Sequence, residues 1–423
     1  MAGSKNQIIN ALVSKFLVAF CMMGVVVITS QVLGAEGRGK IGYYLLIITL
    51  AQSLVEFLGG SAIINMAPKH KTINLLLPSY LLSFLVSLGL LGYLILHQHL
   101  DLANSLYMSF CCLFLGLSSM NLSFILGRKQ INQRNLIYLF LNLIFLGSIY
   151  YFYWIGNNST DFFAYFRLFM FAYLIGFVLS SIKVFQVSNK EDFIHFEWKK
   201  DLFFYGFLSQ CGQLVNLLNY RISYFFIESN YGMARLGIFS NAMTVGDMMK
   251  IPGQSIGMVQ HNRIVNHHKD IHYGLRITPR YLALNSMLYL IQWFVILMLP
   301  GYFWSWLLGA EFETLKAILM LLLPGFVLLG ISTIYAHFFH AINAFKTVLL
   351  ANSTGLFILV ACSFILMPTY GFNGVLYAID LGYASILVVL IIAYRKKKIE
   401  MSYSTKTLKQ HWNLVKRVNT KKS

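Results

Sequence analysis

Residues 11–33, ALVSKFLVAFCMMGVVVITSQVL, and 41–66, IGYYLLIITLAQSLVEFLGGSAIINM, are two apolar runs separated only by GAEGRGK at 34–40. Each is long enough to cross a hydrocarbon core about 30 Å thick, which takes about 20 helical residues. The pattern then recurs down the chain. Runs at 75–97, 105–127, 135–155, 162–182, 202–227, 236–260, 281–299, 314–341, 345–367 and 374–394 bring the expectation to about twelve spans. No stretch between them is long enough to fold as a soluble domain. Composition agrees: 57% of the 423 residues are hydrophobic, 11% are charged, and mean hydropathy is +0.65. The runs are too long, and too uniform in polarity, for a β-barrel. The fold class is therefore an all-α polytopic membrane protein, and its function must be performed by helices within a bilayer.

The formal charge of +18 matches many nucleic-acid binders, but its placement argues against a nucleic-acid partner. Segments on the side where the chain starts hold 26 of the 33 Lys and Arg, while the opposite loops hold only Arg38, Lys40, Arg235 and Lys316. Glu36, Asp101, Asp161, Glu228, Glu311 and Glu313 also lie on that opposite side. This asymmetry is the positive-inside pattern and predicts cytoplasmic termini. The first segment lacks a small-residue cleavage site and reads as an uncleaved helix. The tail 395–423 carries ten basic residues against Glu400. Its Leu408, Trp412 and Val415 recur at helical spacing, which suits either an amphipathic helix on the anionic leaflet or a disordered topogenic tail.

The polar stretch Lys183–Asp201 divides the spans into six and six. An even number places both halves in the same orientation, as parallel repeats. The expected organisation is an N-lobe over 1–183, a cytoplasmic loop over 184–201, a C-lobe over 202–394 and the basic tail. One internal match supports duplication. Gly34-Ala-Glu-Gly-Arg-Gly39 and Gly232-Met-Ala-Arg-Leu-Gly237 stand at an offset of 198, which also carries Gly59 onto Gly257.

Enzymatic chemistry has no visible home. There is no G-x-x-x-x-G-K-[ST] phosphate loop, no Asp-x-Asp pair and no large outer loop. His261, His267, His268 and His272 read as a solvated polar loop rather than a metal site, and His337 and His340 as interfacial. Cys21, Cys111, Cys112, Cys211 and Cys362 read as small core residues. Neither cofactor nor metal is expected.

Charges inside spans are costly, by about 2.5–3.5 kcal/mol at a helix centre, and usually face a bundle interior or a watery cavity. Arg221, Arg167 and Lys250 are candidates for binding an anion, because a guanidinium stays charged and grips oxygens bidentately. For each arginine the alternative is snorkelling or pairing with a carboxylate such as Asp161 or Glu228. Asp247 and Lys250, three apart, either neutralise one another or leave Lys250 facing a cavity, with Pro252 as a hinge. Glu56, Asp247 and Asp380 are candidates for ion coupling. For Glu56 the competing reading is a hydrogen bond to a neighbouring helix.

Residues 31–44, QVLGAEGRGKIGYY, and 54–63, LVEFLGGSAI, resemble the opening of bacterial oligosaccharide flippases of the multidrug/oligosaccharidyl-lipid/polysaccharide exporter superfamily. Residues 219–227, NYRISYFFI, with 236–240, LGIFS, are similar to that family's opening of the second lobe, and 306–312, WLLGAEF, to its loop before span 10. Two positions depart from the pattern: Ser223 stands where an aspartate follows the span-7 arginine, and 259–262, VQHN, where a proline closes span 8. Without that aspartate, the reading leaves Arg221 free of an Arg–Asp pair. The resemblance implies a V-shaped bundle of two six-helix lobes in a bacterial inner membrane. It would flip an undecaprenyl-pyrophosphate-linked oligosaccharide by alternating access for surface polysaccharide such as O-antigen of lipopolysaccharide. Implied partners are that lipid-linked cargo, membrane lipids, and the polysaccharide polymerase and glycosyltransferases. The alternatives are a cation-coupled multidrug exporter of the same superfamily, a lipid-II flippase, and a membrane glycosyltransferase or polymerase.

Overall fold

The computed structural model describes the backbone of residues 2–156, 161–198, 200–267 and 271–419; side chains are described within these except at 2–12, 200–201, 205, 208–209, 271 and 401–419. All regular structure among the described residues is helical: α1 (Ala2–Val55), α2 (Gly60–Met66), α3 (Thr72–Leu96), α4 (Leu102–Gly127), α5 (Ile131–Ile149), α6 (Phe163–Val187), α7 (Lys200–Asn266), α8 (Ile271–Met298), α9 (Gly301–Leu308), α10 (Leu315–Ala341), α11 (Phe345–Tyr370) and α12 (Phe372–Asn419).

Nine of the described helices are long and apolar enough to cross a membrane. On most of them the larger part of the apolar window faces outward. Only 17% of the apolar window in α8 is buried within the protein, and on α3 Leu81, Leu85 and Leu88 stand exposed at i, i+4 and i+7. Water would not tolerate such a surface, whereas lipid solvates it. The chain is a multi-pass membrane protein.

Two of the long helices are each a pair of spans. In α1 the break is Gly34 (φ 67°, ψ −171°) and in α7 it is Gly232 (φ 79°, ψ 175°), a left-handed conformation that only glycine adopts cheaply. Neighbours reveal that the chain turns back at each. Lys15 lies within electrostatic reach of Arg134 and Gly24 faces Leu146, so the first half of α1 runs alongside α5. Beyond Gly34, Gln52 lies against Gly116, Glu56 meets Ser119 and Ala67 meets Gly127, so the second half runs alongside α4. Helices α4 and α5 are antiparallel, joined by a short turn at Arg128–Gln130. In α7 the fold-back is direct, because Tyr224 packs on Phe239 and Arg221 reaches Asp247 across the break. The turn at each glycine makes α1 and α7 each a pair of antiparallel segments, as the sequence expects for spans 1–2 and 7–8. Helix α7, which carries Arg221, Glu228, Arg235, Asp247, Lys250 and Arg263, is not among the nine.

The differences from expectation have local causes. Span 2 is discontinuous: α1 ends at Val55, a 3₁₀ turn covers Glu56–Leu58, and α2 restarts after Gly59 with Gly60 at φ 49°. The short α9 was not expected. Helix α12 continues through the basic tail as backbone, while the side chains of Leu408, Trp412 and Val415 lie outside the described residues, as does His268.

The chain forms two compact units, Met1–Met248 with Leu299–Leu319, and Met249–Met298 with Met320–Ser423. They part within α7, between Met248 and Met249. In the first unit Val55, Leu58, Ile63, Met120, Phe124 and Leu202 share a fully buried apolar core. Buried hydroxyls and amides tie its helices together: Ser87 with Ser109 at 2.9 Å, and Asn121 with Ser180 at 3.1 Å. Such bonds between membrane helices contribute about 0.6 kcal/mol each. In the second unit α11 and α12 approach through Gly355 and Gly382, each lying against the other's carbonyl. Cys21, Cys111 and Cys112 are buried, Cys211 and Cys362 partly so, and all five are free.

Candidate functional site

The two broken helices cross at their matching glycines. A methyl group on Gly39 would strike the carbonyl oxygen of Met233, and one on Gly237 would strike that of Ala35. Both pairs obey the offset of 198, so the contact is reciprocal, as a local two-fold relation between the segments requires. Backbones meet here with no side chain between them.

Polar groups gather around this crossing, all within the first unit. Arg38 turns inward with only 6% of its surface exposed, and its Nε donates to Asn241 Oδ1 at 2.9 Å. Asn241 in turn donates to Ser30 Oγ at 2.8 Å. Tyr165, Tyr224 and Arg221 all lie within electrostatic reach of Arg38. The Arg221 guanidinium sits 5.1 Å from the centre of the Tyr224 ring, donates to the Tyr224 hydroxyl, and pairs with Asp247 at 3.2 Å. The Ser223 hydroxyl is buried beside it without a hydrogen-bond partner. The side chains of Arg221 and Asp247 are 30% and 42% exposed, hence reachable.

The loop before α10 seals the break in α1. The Glu311 carboxylate accepts the Ala35 backbone N–H at 2.6 Å and lies against Gly34, and Gln31 donates to the Leu307 carbonyl at 2.9 Å. A carboxylate at the first free amide of a restarted helix satisfies an orphan donor and meets the positive end of the helix dipole. This gives the 306–312 segment a structural role.

A second polar cluster lies at the break in span 2. Glu56 Oε1 accepts from Ser119 Oγ at 2.7 Å and from Gln52 Nε2 at 3.4 Å, while its other oxygen folds against Gly60. The bond to Ser119 on α4 is the helix-to-helix link that competed with ion coupling. Gln52 Oε1 is buried without a hydrogen-bond partner, so the cluster retains unused acceptor capacity.

One sequence expectation needs correction. An Arg–Asp pair does hold Arg221. The aspartate arrives from Asp247, 26 residues on, once the chain has folded back at Gly232. Asp247 is thereby engaged by an arginine, with 42% of its side chain exposed. Arg167 pairs with Asp161, just ahead of its own helix, as Arg221 pairs with Asp247. Lys250 is buried, at 8% exposure, within the second unit. Pro252 lies inside α7, well beyond the break at Gly232. Asp380 packs its carboxylate against Gly325, next to Pro324 of α10. Sequence reasoning missed Arg38, read as an outer-loop charge, and Glu311. The signal for Arg38 was its position between Gly37 and Gly39, where the lack of side chains lets a neighbouring segment close over it.

No protein-family model matches the chain, and no curated protein matches it. Solved structures do. The chain is similar to an inward-facing multidrug resistance MATE family transporter of the MOP superfamily, at 14% identity and a TM-score of 0.72, over 92% of this chain and 96% of that one. An outward-facing transporter of the same description matches at 12% identity and a TM-score of 0.67, over 93% and 95%. A MOP superfamily transporter from Pyrococcus furiosus, described as having a binding pocket of reversed polarity, matches at 13% and 0.66, over 92% and 93%. At these identities the likeness establishes the fold, which is the one implied by the sequence resemblance.

Proposed function

We propose that this chain is a membrane transporter, not an enzyme, that moves an amphiphilic substrate out of the cytoplasm by alternating access. The observation that carries the reading is the likeness, over nearly the whole chain, to transporters caught in inward-facing and outward-facing states. The chain passes from one compact unit to the other within α7 at Met248–Met249, beside Pro252, where removal of a backbone hydrogen bond permits bending. Both termini are cytoplasmic on the charge asymmetry, in a bacterial inner membrane.

Two cargo classes are distinguished by separate observations. The multidrug reading is favoured by the described neighbours, and by Asp247 and Glu56, which supply carboxylates for an organic cation and for ion coupling. The lipid-linked oligosaccharide reading is favoured by the buried Arg38 beside Arg221, an arrangement suited to a pyrophosphate. Of the two, we give first place to export of small amphiphiles, because both partially exposed arginines already hold carboxylates.

Expression in a bacterial strain stripped of its own multidrug exporters tests this directly. Raised resistance to cationic amphiphiles, lost in Asp247→Asn, supports the multidrug reading. Restored surface glycan in a flippase-deficient strain, lost in Arg221→Ala, replaces it with the second. Failure of both, with the protein inserted, removes the transport assignment.

A further inference from the structure

The break in span 2 gathers oxygen atoms that have more lone pairs than donors to meet them. Gln52 and Glu56 stand one turn apart at the end of α1, Gly116 and Ser119 one turn apart on α4, and Ser83 on α3 closes the third side. Ser119 Oγ donates to Glu56 Oε1 at 2.7 Å, and Ser83 Oγ donates to the Ser79 carbonyl at 2.8 Å. Each hydroxyl has thereby used its proton and keeps lone pairs with which to accept. Gln52 is only 9% exposed, and its Oε1 is buried without a hydrogen-bond partner. That oxygen and Ser83 Oγ lie 3.2 Å and 3.0 Å from the point where a methyl group on Gly116 would sit. The side chain that Gly116 lacks leaves a niche facing two acceptors.

Glu56 is the one charge at this place. Segments 41–55, 60–66, 72–96 and 102–127, the helices that meet around it, contain no Lys, Arg, His, Asp or Glu. Lys69, His70 and Lys129 lie in the turns beyond them, where Lys71 reaches the Ile194 carbonyl at 3.4 Å and Arg128 is held by Asp192. A carboxylate set between membrane helices calls for a compensating positive charge. Span 2 is also discontinuous here, and the C-terminal end of a helix carries the negative end of its dipole, which favours a cation.

We infer that this niche binds a single sodium ion, held by the Glu56 carboxylate, Gln52 Oε1 and the hydroxyls of Ser83 and Ser119. One carboxylate balances one positive charge, so a monovalent ion leaves the site neutral and a divalent ion does not. A proton would sit on Glu56 alone and leave Gln52 Oε1 without a partner, whereas a metal cation engages the acceptors together. Hard oxygen donors suit an alkali ion rather than a transition metal, and a methyl-sized space favours sodium over potassium. The inference rests on the ion-coupling role that the transport reading gives Glu56, and deepens it. Its test reads binding to purified protein, so it can fail while transport stands, and stand while transport fails.

Radioactive sodium is titrated onto the full-length protein in micelles at alkaline pH, with choline holding the ionic strength constant. Saturable binding of one sodium per chain is expected, displaced by unlabelled sodium and not by the same concentration of potassium. Glu56→Gln, Gln52→Leu and Gly116→Ala, the last of which fills the niche, should each weaken binding about tenfold or more, since loss even of a supporting group at a metal site costs that much. A second measurement needs no variant: sodium, unlike potassium, should raise the unfolding midpoint of the wild type. Glu56→Gln should unfold like the wild type in choline and gain nothing from sodium. Lack of saturable binding to the wild type, binding unchanged in Glu56→Gln and Gln52→Leu, or displacement by potassium as effective as by sodium overturns the proposal. So does a carboxyl infrared band that disappears in Glu56→Gln but is unmoved by sodium, which would make Glu56 a carrier of protons alone.

Discussion

Replacing Gly39 by alanine probes the crossing on which the first unit is built. The new methyl group would land on the Met233 carbonyl oxygen and 3.1 Å from the Gly237 amide nitrogen. Both are backbone atoms held in helices, so no rotamer change can relieve the contact and the helices must move apart. Overpacking of this kind costs about 1–3 kcal/mol, and a rigid obstacle places the expectation in the upper half of that range. Gly237→Ala makes the mirrored contact with Ala35 and should cost a similar amount. Once one methyl has separated the backbones, the second meets less resistance. The double variant should therefore fall short of the sum by about 1 kcal/mol, as neighbouring sites do. Gly89→Ala on α3 is the control, because nothing lies within 4 Å of its added methyl; it should stay within about 0.5 kcal/mol of the parent. Equilibrium unfolding of the purified protein in mixed micelles, followed by fluorescence of its six tryptophans, measures all four. Gly39→Ala no more costly than Gly89→Ala, or a strictly additive double variant, would refute the reciprocal contact.

Glu311→Ala removes the acceptor of the Ala35 amide and should destabilise the protein by about 0.5–2 kcal/mol in the same assay, with Glu311→Gln falling between the two; no change would show that the cap is ornamental. Arg221→Ala should abolish transport in cells while leaving the protein inserted and folded; unfolding on its removal would make it a structural residue instead. Glu56→Gln keeps the size of the side chain and can still accept from Ser119. It should preserve stability but remove the dependence of transport on a proton or cation gradient, and gradient-driven transport unchanged from wild type would take Glu56 out of the coupling scheme.

The parts of this fold visible in the sequence are those set by local chemistry. Apolar runs of span length fix the crossings, and the glycines at 34 and 232 mark both breaks through their common offset. Partnerships made by folding back were not visible. Looking two residues beyond Arg221 found Ser223, yet the carboxylate comes from Asp247 because Gly232 reverses the chain between them. Arg38 stands among loop residues in sequence but is buried, since its flanking glycines admit another backbone. Charge asymmetry located Glu311 on a loop without saying that the loop returns to cap α1. Periodicity could not separate α9 from its neighbours, because eight residues are too few to show a helical face.

Alternating access itself is tested most directly by accessibility at Thr244, a partly exposed residue one turn before Asp247 on the same face of α7. With the five native cysteines replaced, Thr244→Cys is challenged by a membrane-impermeant maleimide in right-side-out and in inside-out vesicles. The account predicts modification from both faces, with a substrate or an ion gradient shifting the balance between them. Modification from one face alone, whatever the conditions, would contradict it.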